Sequence, residues 1–271
     1  MAEETTEFEL ADAARVRVLE TNLLHASDVI YWLDGSSAPA VIDMARIDHS
    51  LELTFTQKPR AIKFLNSTGK TAFWSTPTQP MVAGEASEAQ RQRPAVAPFV
   101  IAGAVIDRTG RFNPAAFEVI LGAGIGQAII LFPAAAAVGL PVAGGARGQV
   151  AFADTGAPLA WGLLTLTVAL GLGKTVVFQG QTDAKGSFAI AFTRLPPLPD
   201  SVTEYSATLT IDGLLGASTN NLVKLADLVV LKLESTSTQN DFSTAIPLTI
   251  RPGEIKRINS FNKGFIAVQT A

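Results

Sequence analysis

The sequence predicts an all-β protein built from several small sandwich-like or barrel-like modules. Three observations carry this. Apolar and polar residues alternate at period two in many short runs, as half-buried strands require. Gly, Asp, Asn and Pro groups separate those runs, and each is turn chemistry. Two long uncharged stretches, residues 119–146 and 157–173, are not helical spans. The first is broken by Pro133, Pro141 and repeated glycines, so it reads as strands and turns with no stable membrane span.

Taken in order, residues 14–19 alternate as a strand, while residues 3–15 are equally compatible with a short helix. Residues 29–33 form a strand ending at the turn pair Asp34-Gly35. Residues 50–56 alternate. Residues 61–65 and 71–74 flank Asn66-Ser67-Thr68-Gly69 and predict a hairpin. These elements make an N-terminal β domain over 1–81. Residues 82–98 are polar, rich in Ala and Gln and closed by Pro98, so they read as a linker or long loop. A β-hairpin region over 99–145 follows, with Asn113-Pro114 in a turn. Residues 117–121 and 128–132 are its two strands, joined by residues 122–127. Gly103 to Gly110 and Gly148 to Gly156 echo each other as a strand followed by an Asp-x-Gly or Asp-x-x-Gly turn. Residues 146–213 predict a β-sandwich. In residues 214–271, the runs 229–233, 246–250 and 265–268 are strands, and residues 222–228 start as a helical turn. The terminal strands are expected to pack on the N-terminal domain, with the sandwich inserted between.

Composition narrows the function classes. The chain has 271 residues and no cysteine, so disulfides, thiolate nucleophiles and Cys-based zinc sites are excluded. Hydrophobic residues are 48% and charged residues 17%, below the roughly 25% charged content of ordinary soluble domains. So little charge leaves neutral and apolar surface for partners to cover. A net charge of −3 argues against general nucleic-acid binding. Glu3, Glu4, Glu7 and Glu9 stand where a secretory signal needs bases, which predicts synthesis in the cytoplasm before incorporation into a particle.

Several motifs mimic chemical sites. Gly171-Leu172-Gly173-Lys174-Thr175 ends like a phosphate-binding loop, but the motif's leading glycine would fall on Val168. Gly122-Ala123-Gly124-Ile125-Gly126-Gln127 imitates a dinucleotide fingerprint, but its third glycine falls on Gln127 and Pro133 blocks the helix. His25 and His49 are the only histidines, and neither forms a ligand spacing with Asp28, Asp43 or Asp48. No Gly-x-Ser-x-Gly elbow is present. No catalytic, metal or cofactor residues are therefore assigned, and the chain reads as a non-enzyme. Arg251, Lys256, Arg257 and Lys263 form a basic cluster that could meet an acidic segment (Glu3, Glu4, Glu7, Glu9, Asp12) of a neighbouring subunit. Trp32, Trp74 and Trp161 read as core residues rather than a sugar platform.

One resemblance rests on particular residues. Asp154-Thr155-Gly156-Ala157-Pro158-Leu159, the alternation over 163–168, and Thr182-Asp183-Ala184-Lys185-Gly186-Ser187-Phe188 resemble the transthyretin-like family, also called carboxypeptidase-regulatory-like or prealbumin-like. The resemblance covers residues 148–211. It implies a small β-sandwich in which the turn closed by Gly186 joins two strands and Phe188 points inward. Members serve as accessory, adhesive or structural modules, so it does not choose a function. Strand modules in series without cysteine are also similar in layout to phage-tail and contractile-injection components. The expected function is a non-enzymatic structural subunit, a homo-oligomer that also packs on other subunits of its assembly. The alternative is a binding module or adhesin for a glycan or peptide.

Overall fold

The computed structural model describes residues 27–75, 98–122, 126–140, 144–199 and 202–270. The strand at 14–19, the alternative helix at 3–15 and nearly all of the linker at 82–98 lie outside the described residues. The protein is all-β, with several sheets around two main hydrophobic cores.

The first core lies between two sheets. One holds β1 (Ser27–Asp34), β3 (Ile62–Ser67), β4 (Lys70–Ser75) and β7 (Gln127–Leu131) in the order β3-β4-β1-β7. The other holds β2 (Glu52–Gln57), β5 (Phe99–Ile106) and β6 (Ala115–Leu121) in the order β2-β5-β6. Alternation places Ile30 and Trp32 of β1 inward, and Ile101 and Val105 of β5 meet them within the same core. Trp32 packs edge-on against Phe117 of β6, ring centres 5.7 Å apart, and so joins the sheets. Its indole Nε1 donates to Thr71 Oγ1 at 2.9 Å, which satisfies the only polar atom it brings into the core.

The hairpin read at 61–74 forms as β3 and β4. Gly69 takes φ +64° at its turn, and a Cβ there would lie 2.6 Å from the Ile47 carbonyl oxygen. The hairpin read at 117–132 does not form. Both strands exist, but β6 pairs antiparallel with β5, while β7 pairs parallel with β1 in the opposite sheet. Gly122, at φ +107°, donates its N–H to Asp28 Oδ2 at 2.6 Å where the chain leaves β6. The strands of 99–145 are therefore shared between the two sheets of the first core.

The second core is enclosed by one curled sheet. Its strands are β8 (Gly145–Phe152), β9 (Leu163–Gly171), β10 (Lys174–Gln181), β11 (Ser187–Ala191), β12 (Tyr205–Gly213), β13 (Val229–Glu234) and β17 (Ile266–Thr270), in the order β10-β9-β12-β13-β17-β8-β11. Three more join its flanks: β14 (Phe242–Ser243) on β13, β15 (Ile246–Ile250) on β12 and β16 (Ile255–Ile258) on β8. The apolar run at 157–173 is explained by β9, which is flanked by β10 and β12 and buries Leu164, Leu166 and Val168 completely. Phe188 and Ile190 share the inward face of β11 as period two demands. The turn at 182–186 closes as read: Asp183 Oδ1 accepts the N–H groups of Lys185 and Ser187, and Gly186 takes φ +76°.

The terminal strands pair with this second core rather than with the N-terminal sheets. β15 adds to β12, and both β16 and β17 run parallel to β8. Their buried residues Ile246, Ile250, Ile258 and Val268 complete the core that the central strands leave open. Glu234, at the end of β13, is fully buried; its Oε2 lies 2.5 Å from Lys263 Nζ and its Oε1 accepts the Asn240 N–H at 2.9 Å. Residues 225–227 form one turn of 3-10 helix, close to the helical start read at 222–228.

Candidate functional site

Among the described residues, the densest group of titratable side chains lies around His49. The segment between β1 and β2 carries Asp48 and His49. The turn after β5 carries Asp107, Thr109 and Arg111. His49 Nδ1 lies 2.9 Å from Asp48 Oδ1, and Arg111 Nη1 donates to the same oxygen at 2.9 Å. His49 Nε2 lies 3.0 Å from Asp107 Oδ1 but off the axis of a well-formed hydrogen bond. The imidazole stacks at a tilt on Phe112.

The chemistry of this group is that of a clamp. Asp107 Oδ1 accepts the Thr109 N–H and hydroxyl at 2.8 Å, and Oδ2 accepts the N–H groups of Arg111 and Phe112 at 3.0 and 3.1 Å. Burial pushes the Asp107 carboxyl up, but the bonds from Thr109 and Phe112 and the nearby His49 ring outweigh it, so it titrates below the ordinary value. Asp48 is also held low, first by His49 and then by Arg111. A catalytic histidine needs one ring nitrogen aimed at a nucleophile. Both nitrogens of His49 face carboxylates instead. The group therefore fastens the β1–β2 connection to the β5–β6 turn.

The other residues singled out in the sequence disperse. Asp28 is tied to Gly122, Asp43 lies exposed in a 3-10 turn, and His25 is outside the described residues. Among the described residues, no group of three or more His, Asp or Glu side chains is placed to hold a metal ion. Gly171-Leu172-Gly173 is the β9–β10 hairpin turn, and no helix follows it to receive a phosphate. Trp32 and Trp161 are buried and Trp74 is half-buried, so no exposed tryptophan platform exists. The C-terminal basic cluster is largely consumed by its own protein: Arg251 faces Glu204 and Glu254, and Lys263 faces Glu234. Asp212, on β12, is pushed up by burial and has no cationic partner among the described residues.

A second feature, unread in the sequence, is the seam between the cores. Asn113 is buried; its Nδ2 donates to Gln181 Oε1 at 3.3 Å and to the Thr182 carbonyl at 3.2 Å. Gln181 Nε2 in turn donates to the Trp161 carbonyl at 3.1 Å, and the Gly162 N–H donates to Thr182 Oγ1 at 2.7 Å. The Ala116 N–H reaches the Val223 carbonyl at 3.1 Å, and Lys224 faces Glu118 at 3.1 Å. Trp161 itself sits at φ +60°, an uncommon conformation for an aromatic residue, with Nε1 donating to Ser218 O. Beside the seam lies a cleft of about 240 Å³, lined by Asp34, Arg111 and Phe112 from one core and Gln179, Ile190 and Ala191 from the other. Its charged groups are already engaged: Asp34 by Ser36, and Arg111 by Asp48.

Apolar residues also stand on the outer surface. Leu172 is 101% exposed at the β9–β10 tip, at φ +51°, between Gly171 and Gly173 at φ +91° and +73°. Phe64 and Leu65 are exposed on β3, whose one partner strand among the described residues is β4, and Ile120 is exposed on β6, whose one partner strand among them is β5. Val229 and Val230 are exposed on β13.

No family model matches this chain, and no curated protein matches it. Among solved structures, a streptococcal ancillary pilin is similar at TM-score 0.22 and 10% identity, over 86% of this chain and 63% of that chain. So low a score carries no inference about this chain's role, and the chain spans less than two thirds of that protein.

Proposed function

We propose that this protein is a non-enzymatic structural subunit of a multi-protein assembly, packing on copies of itself and on other subunits through open strand edges and exposed apolar side chains. One observation carries the reading. Leu172 pays twice, in exposed apolar surface and in left-handed backbone, at a tip where Asn or Gly would cost neither. An outlier of this kind supports a contact made outside the chain. Leu65 and Ile120, on strands with one partner strand each among the described residues, add edges at which a neighbour can pair.

Gly186, Phe188 and Ile190 support a transthyretin-like sandwich within the second core. The strand modules in series support a phage-tail-like or contractile-injection particle by layout alone.

Leu172→Asn tests the proposal. The variant is expected to fold with unchanged or slightly higher stability, because Asn tolerates positive φ better than Leu. Its association, read by sedimentation velocity, is expected to weaken. Unchanged association would remove the tip from the contact.

A further inference from the structure

The curled sheet carries a like-charge pair that its own chain does not neutralise. Arg147 of β8 and Arg257 of β16 are direct partners in a parallel ladder, so both project from the same face. Both are exposed. Like charges directly opposite one another are unfavourable in a sheet. Neither arginine meets a carboxylate among the described residues; Arg257 reaches only the Gly264 carbonyl, at 3.5 Å. By contrast, Arg108, Arg111 and Arg251 each face an acid.

The pair opens onto a groove of about 620 Å³. Lys185 adds a third cation there, while the partly exposed Val138 and Leu140 supply an apolar wall. The one carboxylate among the described lining residues, Asp183, accepts the backbone N–H groups of its own turn. Two guanidinium groups side by side suit carboxylates, which they bind through paired hydrogen bonds.

Resting on the subunit reading above, we propose that this groove receives the acidic segment at residues 3–12 of a second copy. The charge complementarity is within this one sequence. That segment holds Glu3, Glu4, Glu7, Glu9 and Asp12 with no base. Glu7-Phe8-Glu9-Leu10 alternates acid and apolar residues, so docked as a strand it would turn carboxylates to Arg147 and Arg257 and apolar groups to the wall. The contact adds specificity and register more than affinity.

The test is zero-length carbodiimide coupling of the full chain, using an equal mixture of heavy- and light-isotope protein, read by mass spectrometry. The expected product joins a carboxylate of residues 3–12 to Lys185 in peptides of mixed isotope. It should fall about tenfold when salt is raised well above physiological strength, because exposed charges are then screened. It should be lost in Arg147→Glu/Arg257→Glu protein that keeps its circular dichroism spectrum. Lys185→Arg keeps the charge, so it should abolish coupling while leaving association intact. Coupling to Lys58, Lys63 or Lys70 instead, coupling only within one isotope, or no coupling overturns the proposal. A protein that oligomerises without coupling at Lys185 sinks the groove assignment alone; a monomer at every concentration sinks the subunit reading with it.

Discussion

Replacing Lys263 by methionine should destabilise the second core, because it strands a buried carboxylate. Glu234 is fully buried and has two partners for its carboxylate, Lys263 Nζ at 2.5 Å and the Asn240 N–H at 2.9 Å. Removing one member of a buried ion pair costs about 3–5 kcal/mol, chiefly through the charge left behind. The Lys263 side chain is 26% exposed, so water can partly replace the ammonium. That places the expectation at the low end, about 3 kcal/mol. For a chain of this size the loss corresponds to a fall of roughly 6–12 °C in Tm. Urea denaturation followed by circular dichroism measures it, with Glu234→Gln/Lys263→Met as the reference. The double variant removes the stranded charge while its amide oxygen can still accept the Asn240 N–H, and should cost about 1–2 kcal/mol. A cost below about 1 kcal/mol for Lys263→Met, or a double variant as unstable as the single one, would refute the argument.

Three further outcomes follow from the same geometry. The folded Asp107 carboxyl titrates below 3.8, so its contribution is complete above the unfolded value and lost as pH falls through the folded one. Asp107→Asn should therefore cost about 2 kcal/mol at neutral pH and lose less stability than wild type as the pH falls below the ordinary carboxylate range, as a Tm series would show. Gly186→Ala should cost more than about 2 kcal/mol, since φ is +76° and the added Cβ would lie 2.3 Å from the Val150 carbonyl oxygen; chemical denaturation decides it. Asn113→Ala leaves Gln181 Oε1 and the Thr182 carbonyl without their donor and should raise hydrogen exchange at the seam, at a cost of about 1–2 kcal/mol; unchanged exchange at 181 and 182 would count against the seam's role.

Local pattern was legible in the sequence and long-range pairing was not. Period-two alternation located β2 and β9, because each turns one face toward a core, and the turn pair Asp34-Gly35 marked the end of β1. Turn chemistry located Gly69 and Gly186, because only a residue tolerant of positive φ fits there. The partner of each strand depends on contacts far along the chain. β6 and β7 are neighbours in sequence yet lie in opposite sheets, and no feature of residues 117–132 encodes the parallel pairing of β7 with β1. The same holds for β16 and β17 beside β8. The His49–Asp107 clamp and the Glu234–Lys263 pair each join distant residues. Asp107 carried a local signal, an Asp-led turn with glycine, but nothing in that turn named His49. The basic cluster at 251–263 looked free because the acids that occupy Arg251 and Lys263, Glu204 and Glu234, lie earlier in the chain.

If the exposed strand edges and the Leu172 tip are contact surfaces, the protein associates in solution. Light scattering of the 271-residue chain across a wide concentration range measures this, with negative-stain images of the same samples. The expected result is a mass above that of one chain, rising or holding with concentration, and particles of defined outline. A sharp monomer mass at every concentration, with no ordered particles, would contradict it.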